Sequence, residues 1–128
     1  MAAKIPWEHP KVTRIGRPAL VLLPMRKYDS VEFGRDGQTP DALFKQFCLD
    51  TFGAISIISS HVKGDWKNDR QCLISDTHQE YRVSFLRSGF NGEDYLDIFI
   101  NFLSQLAGLM QEECIYAELG EESVLISA

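Results

Sequence analysis

NGEDYLDIFINFLSQLAGLMQEE, residues 91–113, is the stretch whose reading decides the fold. Leu96, Phe99, Leu103, Leu106 and Met110 recur at three- and four-residue steps, with Tyr95, Phe102 and Leu109 beside them. Asp97, Asn101, Ser104, Gly108 and Gln111 form the opposite stripe at the same spacing. A period near 3.6 predicts an amphipathic helix. Asn91 is placed to cap it, and Glu93, Asp94 and Asp97 complement the positive end of its dipole. Ile98 and Ile100 widen the apolar face until only a narrow polar stripe remains. Such a helix needs a broad hydrophobic surface to lie against, most simply a sheet.

The flanking sequence supplies that sheet. Upstream, Tyr81, Val83 and Phe85 alternate with Arg82, Ser84 and Arg87, which predicts a half-exposed strand. Residues 54–62 are rich in β-branched side chains and read as a central strand, and residues 71–75 as another. Between them, residues 64–70 read as a polar turn around Trp66, and residues 76–79 as a turn or bulge. Thr39, Pro40 and Asp41 make a helix start, with Leu43, Phe44, Phe47 and Cys48 on its buried stripe and Gly53 as its stop. Residues 19–23 form an apolar strand between Pro18 and Pro24, which put it at an edge or end it sharply. Tyr28, Val31 and Phe33 are expected to continue extended, before a turn over residues 35–38. Downstream, residues 114–119 and 123–126 flank Gly120-Glu121-Glu122 and predict a closing hairpin.

The fold class is thus α+β: an antiparallel sheet with two helices packed on one face, in the order β-α-β-β-β-α-β-β. Its centre resembles the β-α-β-β-α-β order of ferredoxin-like folds. Without the first strand, the order is similar to that of small acidic secretion chaperones. An order of elements does not fix a function. Residues 1–18 read as an extended N-terminal arm interrupted by Pro6, Pro10 and Pro18, and residues 19–128 as a single domain.

Composition narrows the class. A chain of 128 residues with 45% apolar and 24% charged residues is a globular domain, not a disordered one. Its longest apolar stretch falls short of the ~18–20 residues needed to span a bilayer. Residues 1–10 hold no apolar secretory core, so a cytoplasmic location is expected. Cys48, Cys72 and Cys114 are scattered among apolar neighbours without ligand spacing, which fits buried thiols. No cofactor motif and no metal motif occurs.

The net charge of −5 is unevenly distributed. Residues 1–27 hold six Lys and Arg against Glu8 alone, while residues 88–128 hold eight acids and no Lys or Arg. Attraction between the two ends, within one chain or across a dimer, is the simplest reading; a basic arm for an acidic partner is the sharper one. Arginines beside Tyr81 and Phe85 are compatible with single-stranded nucleic acid, but the acidic second half argues against it.

Candidate site residues are few. His61, His78 and Asp76 are the titratable groups that strand pairing could converge as a base and its orienter. Trp66 at a turn and Trp7 in the arm are candidate contact residues. Val124 and Ile126, on a terminal strand with no Lys or Pro to blunt it, are candidate interface residues. These features favour a non-enzymatic accessory protein acting through a protein partner, possibly a second copy in a homodimer. The alternative is a small enzyme or ligand-binding domain with a pocket near His61 and His78.

Overall fold

Strand β1 (Arg17–Pro24) alternates buried Ala19, Val21 and Leu23 with partly exposed Leu20 and Leu22. Its two prolines close the ladder instead of displacing it to a rim: Pro18 lies opposite Ser84 and Pro24 opposite His78. The strand therefore runs through the middle of the sheet. The structure, a computed structural model, describes residues 8–12, 17–67, 73–85 and 95–128.

The other described elements are α1 (Pro40–Phe52), β2 (Ser56–Ile57), β3 (Val62–Lys67), β4 (Leu73–Phe85), α2 (Tyr95–Leu109), β5 (Cys114–Leu119) and β6 (Glu122–Ser127). All pairings are antiparallel. β1 lies between β4 and β5, and β6 follows β5 at one edge. β2 and β3 both pair with the far side of β4, β2 at residues 81–82 and β3 at residues 73–78. The expected fold class and element order hold.

Two strand assignments nevertheless change. The expected central strand over residues 54–62 is only the short, exposed β2 plus the first residue of β3. Residues 64–67 of the turn expected at 64–70, and the turn expected at 76–79, are paired backbone, with Gly64 opposite Asp76 and Lys63 opposite Thr77. Polar composition misleads here because Asp76 meets a cation, Arg26, at 3.5 Å, while its backbone stays in the ladder. Residues 25–33 are also not extended. Lys27 and Tyr28 both donate to the Pro24 carbonyl, and Val31–Phe33 forms a 3-10 turn.

Local signals explain the helix ends. Thr39 Oγ1 accepts from Ala42 N at 3.1 Å, Pro40 occupies the first turn, and Gly53 closes α1 at φ 81°. α2 ends earlier than its apolar pattern, because Gln111 takes φ 57° and Glu112 N donates back to the Ala107 carbonyl. Its expected cap and first acids at residues 91–94 lie outside the described residues.

Both helices pack on one face. Phe99, Leu103, Leu106, Ala107 and Met110 meet Val21, Leu23, Tyr81, Ile115 and Ala117 in one buried cluster with Phe44 and Cys48. Between the helices, Phe47 stacks on Phe102 at 4.0 Å, and Phe52 sits edge-on to Phe99 at 5.6 Å. Leu96, expected on the buried stripe, is instead exposed at the helix start. Lys27 ties the basic and acidic ends of the chain together. Its Nζ donates to the Met110 carbonyl at 2.8 Å and pairs with Glu112 at 3.1 Å.

Candidate functional site

No helix covers the second face of the sheet among the described residues, and strand register lines its side chains into rows. One row crosses five strands: Ser56, Arg82, Leu20, Glu118 and Ser123 stand opposite one another in turn. Strands lie about 4.8 Å apart, so Arg82 and Glu118 stand roughly 10 Å from each other with Leu20 between them. Ser56, Arg82, Leu20 and Glu118 of this row form the floor of a cleft of about 580 Å³. Pro18, Ser84 and Gly120 continue it toward the end of the sheet, and its lining reaches round that end to Phe52, Ala54, Ile55, Ala19 and Val83 beside the helix-covered core.

Arg82 and Glu118 are each positioned by a neighbour. The Arg82 side chain is well exposed, but its Nε donates to Glu80 Oε2 at 2.8 Å. Glu80 itself is only 8% exposed, two residues back on the same strand face. Across the floor, the Tyr116 hydroxyl donates to Glu118 Oε1 at 3.2 Å and lies 3.1 Å from Ser123 Oγ. Gly120 turns the β5–β6 hairpin at φ 64°, and the Arg17 guanidinium lies over its α-carbon: an added β-carbon would come within 2.8 Å of it. Phe52 links the lining to the aromatic cluster of the core. The cleft thus offers an apolar side, one cation and one anion, held on rigid strands.

The residues singled out from sequence fall elsewhere. Strand pairing brings the two histidine segments side by side, with Val62 opposite His78, but His61 is exposed and Asp76 is engaged by Arg26. Arg82 lies four residues beyond His78 on β4, about 13 Å along the strand. The cleft floored by Leu20 lies away from the expected pocket near His61 and His78, toward the other end of β4. Among the described residues, no three His, Cys, Asp or Glu gather as metal ligands. Trp7 and the Trp66 side chain lie outside the described residues. Ile126 is a core residue, 6% exposed, and Val124 packs against the same core, so the outward apolar side chain of this strand is Leu125. Burial pushes the Cys48 thiol up to about 12, which leaves it protonated and unreactive. No described helix is long and apolar enough to cross a membrane.

Sequence reasoning missed Arg82 and Glu118 as a pair. Alternation on each strand was visible, but the register that sets them in one row was not.

No protein-family model matches the chain, and no curated protein matches it. Two solved structures share its fold. One is a phage SAM lyase in complex with S-methyl-5'-thioadenosine, with a TM-score of 0.59 and 13% identity over 92% of this chain and 94% of that one. The other is a phage SAM lyase in the apo state, with a TM-score of 0.52 and 12% identity over 88% and 90% of the two chains. At these identities the likeness is one of fold. It overturns the expectation of a non-enzymatic accessory protein, since nearly the whole chain follows the architecture of an enzyme of similar size.

Proposed function

We propose that the chain is a small enzyme or ligand-binding domain whose ligand is a sulfonium nucleoside of the S-adenosylmethionine type, held in the cleft floored by Leu20. The observation that carries this reading is the cleft's mixed lining. Phe52, Ile55 and Leu20 offer apolar contact to a purine, Ser56 and Ser84 offer hydroxyls, and Glu118 offers a counter-charge to a cation. The shared fold supports the choice of ligand class.

Cleavage of such a ligand needs little from the protein. The carbon–sulfur bonding pair moves on to sulfur, which leaves as a neutral thioether. A carboxylate oxygen of the same ligand bonds to that carbon as the bond to sulfur breaks, giving a lactone and the thioether, so no proton is released and no co-reactant is required. Positive charge is lost in this step, and an apolar wall that solvates the cation poorly favours it. Orientation is then the main task of the site.

The test is direct. Purified protein incubated with S-adenosylmethionine is expected to release S-methyl-5'-thioadenosine, followed by chromatography against a protein-free control. Calorimetric titration with either compound separates binding from turnover. Neither binding nor release would remove this reading. A cytoplasmic location and a homodimer formed along β6 belong to the same proposal, the dimer supported by the open edge of that strand.

A further inference from the structure

The Glu80–Arg82 pair is built in a way that simple charge balance does not require. Glu80 accepts a hydrogen bond from Arg82 Nε at 2.8 Å and is itself 8% exposed. A guanidinium carries its remaining donors on two terminal nitrogens in a fixed, planar fork. Among the described residues, neither terminal nitrogen of Arg82 has a hydrogen-bond partner. Arg82 lies in the floor of the cleft, and the Glu80 contact through Nε restrains the plane of its fork.

From this we infer that Arg82 is the carboxylate-recognition residue of the cleft and that Glu80 is its positioning residue. The inference rests on the proposed ligand class and adds the part of the ligand that selects it: an amino-acid carboxylate. A planar fork binds a carboxylate through two parallel bonds, which a lysine in the same place does not reproduce. Glu118, roughly 10 Å across the floor at the backbone, repels that carboxylate and so sets its direction in the cleft. S-adenosylmethionine carries the carboxylate, whereas S-methyl-5'-thioadenosine does not. The site should therefore read the difference between them through Arg82.

The experiment is calorimetric titration of the full chain with both compounds, for the wild type and for Arg82→Gln, Arg82→Lys and Glu80→Gln. Arg82→Gln is expected to weaken S-adenosylmethionine by about 10- to 100-fold, the size of a lost charge-assisted pair, and to change the thioether by less than about 2-fold. Arg82→Lys should recover only part of the loss. Glu80→Gln should weaken S-adenosylmethionine alone, by a smaller factor, since the fork remains but its plane is released. Equal losses for both compounds, or no loss for either, would overturn the assignment while leaving the ligand class in place. A wild-type chain that binds neither compound removes the ligand class and this inference with it.

Discussion

The two faces of the sheet are made by the same strands and have opposite fates. On one face, Val21, Tyr81, Ala117 and Leu23 are sealed beneath the helices at no measurable exposure. On the other, Leu20, Leu22 and Tyr116 are half covered, and Leu125 keeps 67% of its surface. The sealed face holds the fold together through area, since each buried aliphatic side chain contributes about 1.5–3 kcal/mol. The open face contributes little area but carries Arg82 and Glu118, the charged groups of the cleft, and Glu80 beside Arg82. Stability and chemistry are divided by the alternation of side chains along each strand.

The sharpest way to break this division is to cut into the sealed face. Leu103→Ala removes a fully buried side chain from the centre of α2, and should cost about 2–5 kcal/mol in a denaturant titration. A loss under ~1 kcal/mol would mean that the helix does not lie on this face.

A second test uses the buried hydroxyl of Tyr81 within that face. Tyr81 is buried against Phe44 and donates to Asp41 Oδ1 at 2.6 Å, while Lys45 holds the other oxygen at 2.9 Å. Tyr81→Phe leaves Asp41 with one partner fewer and should cost about 1.5–3 kcal/mol. Burial first, and then the hydrogen bond to Asp41, raise the Tyr81 pKa well above its ordinary value. Its sign in the pH profile follows. The unfolded chain loses this proton above about pH 10 and the folded chain keeps it, so stability falls as pH rises beyond that point. Tyr81→Phe should flatten that part of the profile. An unchanged alkaline slope in the variant would mean that the hydroxyl is not sealed.

These two faces differ just as much in how far the sequence announced them. The 3.6-residue period of α2 was legible because a buried stripe leaves a regular trace, and Phe99, Leu103 and Leu106 lie where it put them. Thr39, Pro40 and Gly53 announced α1 for a similar reason: caps are local chemistry. Residues 64–67 and 76–79 misled because a polar strand paired at a sheet margin has the composition of a turn. The cleft was illegible for a deeper reason. Ser56, Arg82, Leu20 and Glu118 meet only through register across four strands, and pairing over such separations leaves no mark in the chain.

Between the faces, the β5–β6 turn gives a smaller test. Gly120 has φ 64°, and an added β-carbon would also meet Arg17 at the rim of the cleft. Gly120→Ala should cost about 1–2 kcal/mol, the strain of a left-handed residue, because the arginine tip is free to shift. A thermal melt with no change would place that turn in another conformation. Ligand titration of the same variant reports whether Arg17 contributes to the cleft.

The smallest expected effect is at Leu125, and it decides whether the second face is open in solution. Full burial of a leucine contributes about 1.5–3 kcal/mol, so a side chain two-thirds exposed should lose under ~1 kcal/mol on replacement by lysine. That holds for a chain whose β6 edge and outer row meet only water. If a second copy covers this strand, Leu125 is buried in the assembly, and a lysine there leaves an unpaired charge between two apolar surfaces. The stability of the wild type would then rise with protein concentration, and Leu125→Lys would abolish that dependence while shifting sedimentation toward the monomer. A loss that is small and independent of concentration fits an open face. A large, concentration-dependent loss assigns Leu125 to an interface, and the division between a sealed face and an open one then describes the protomer alone.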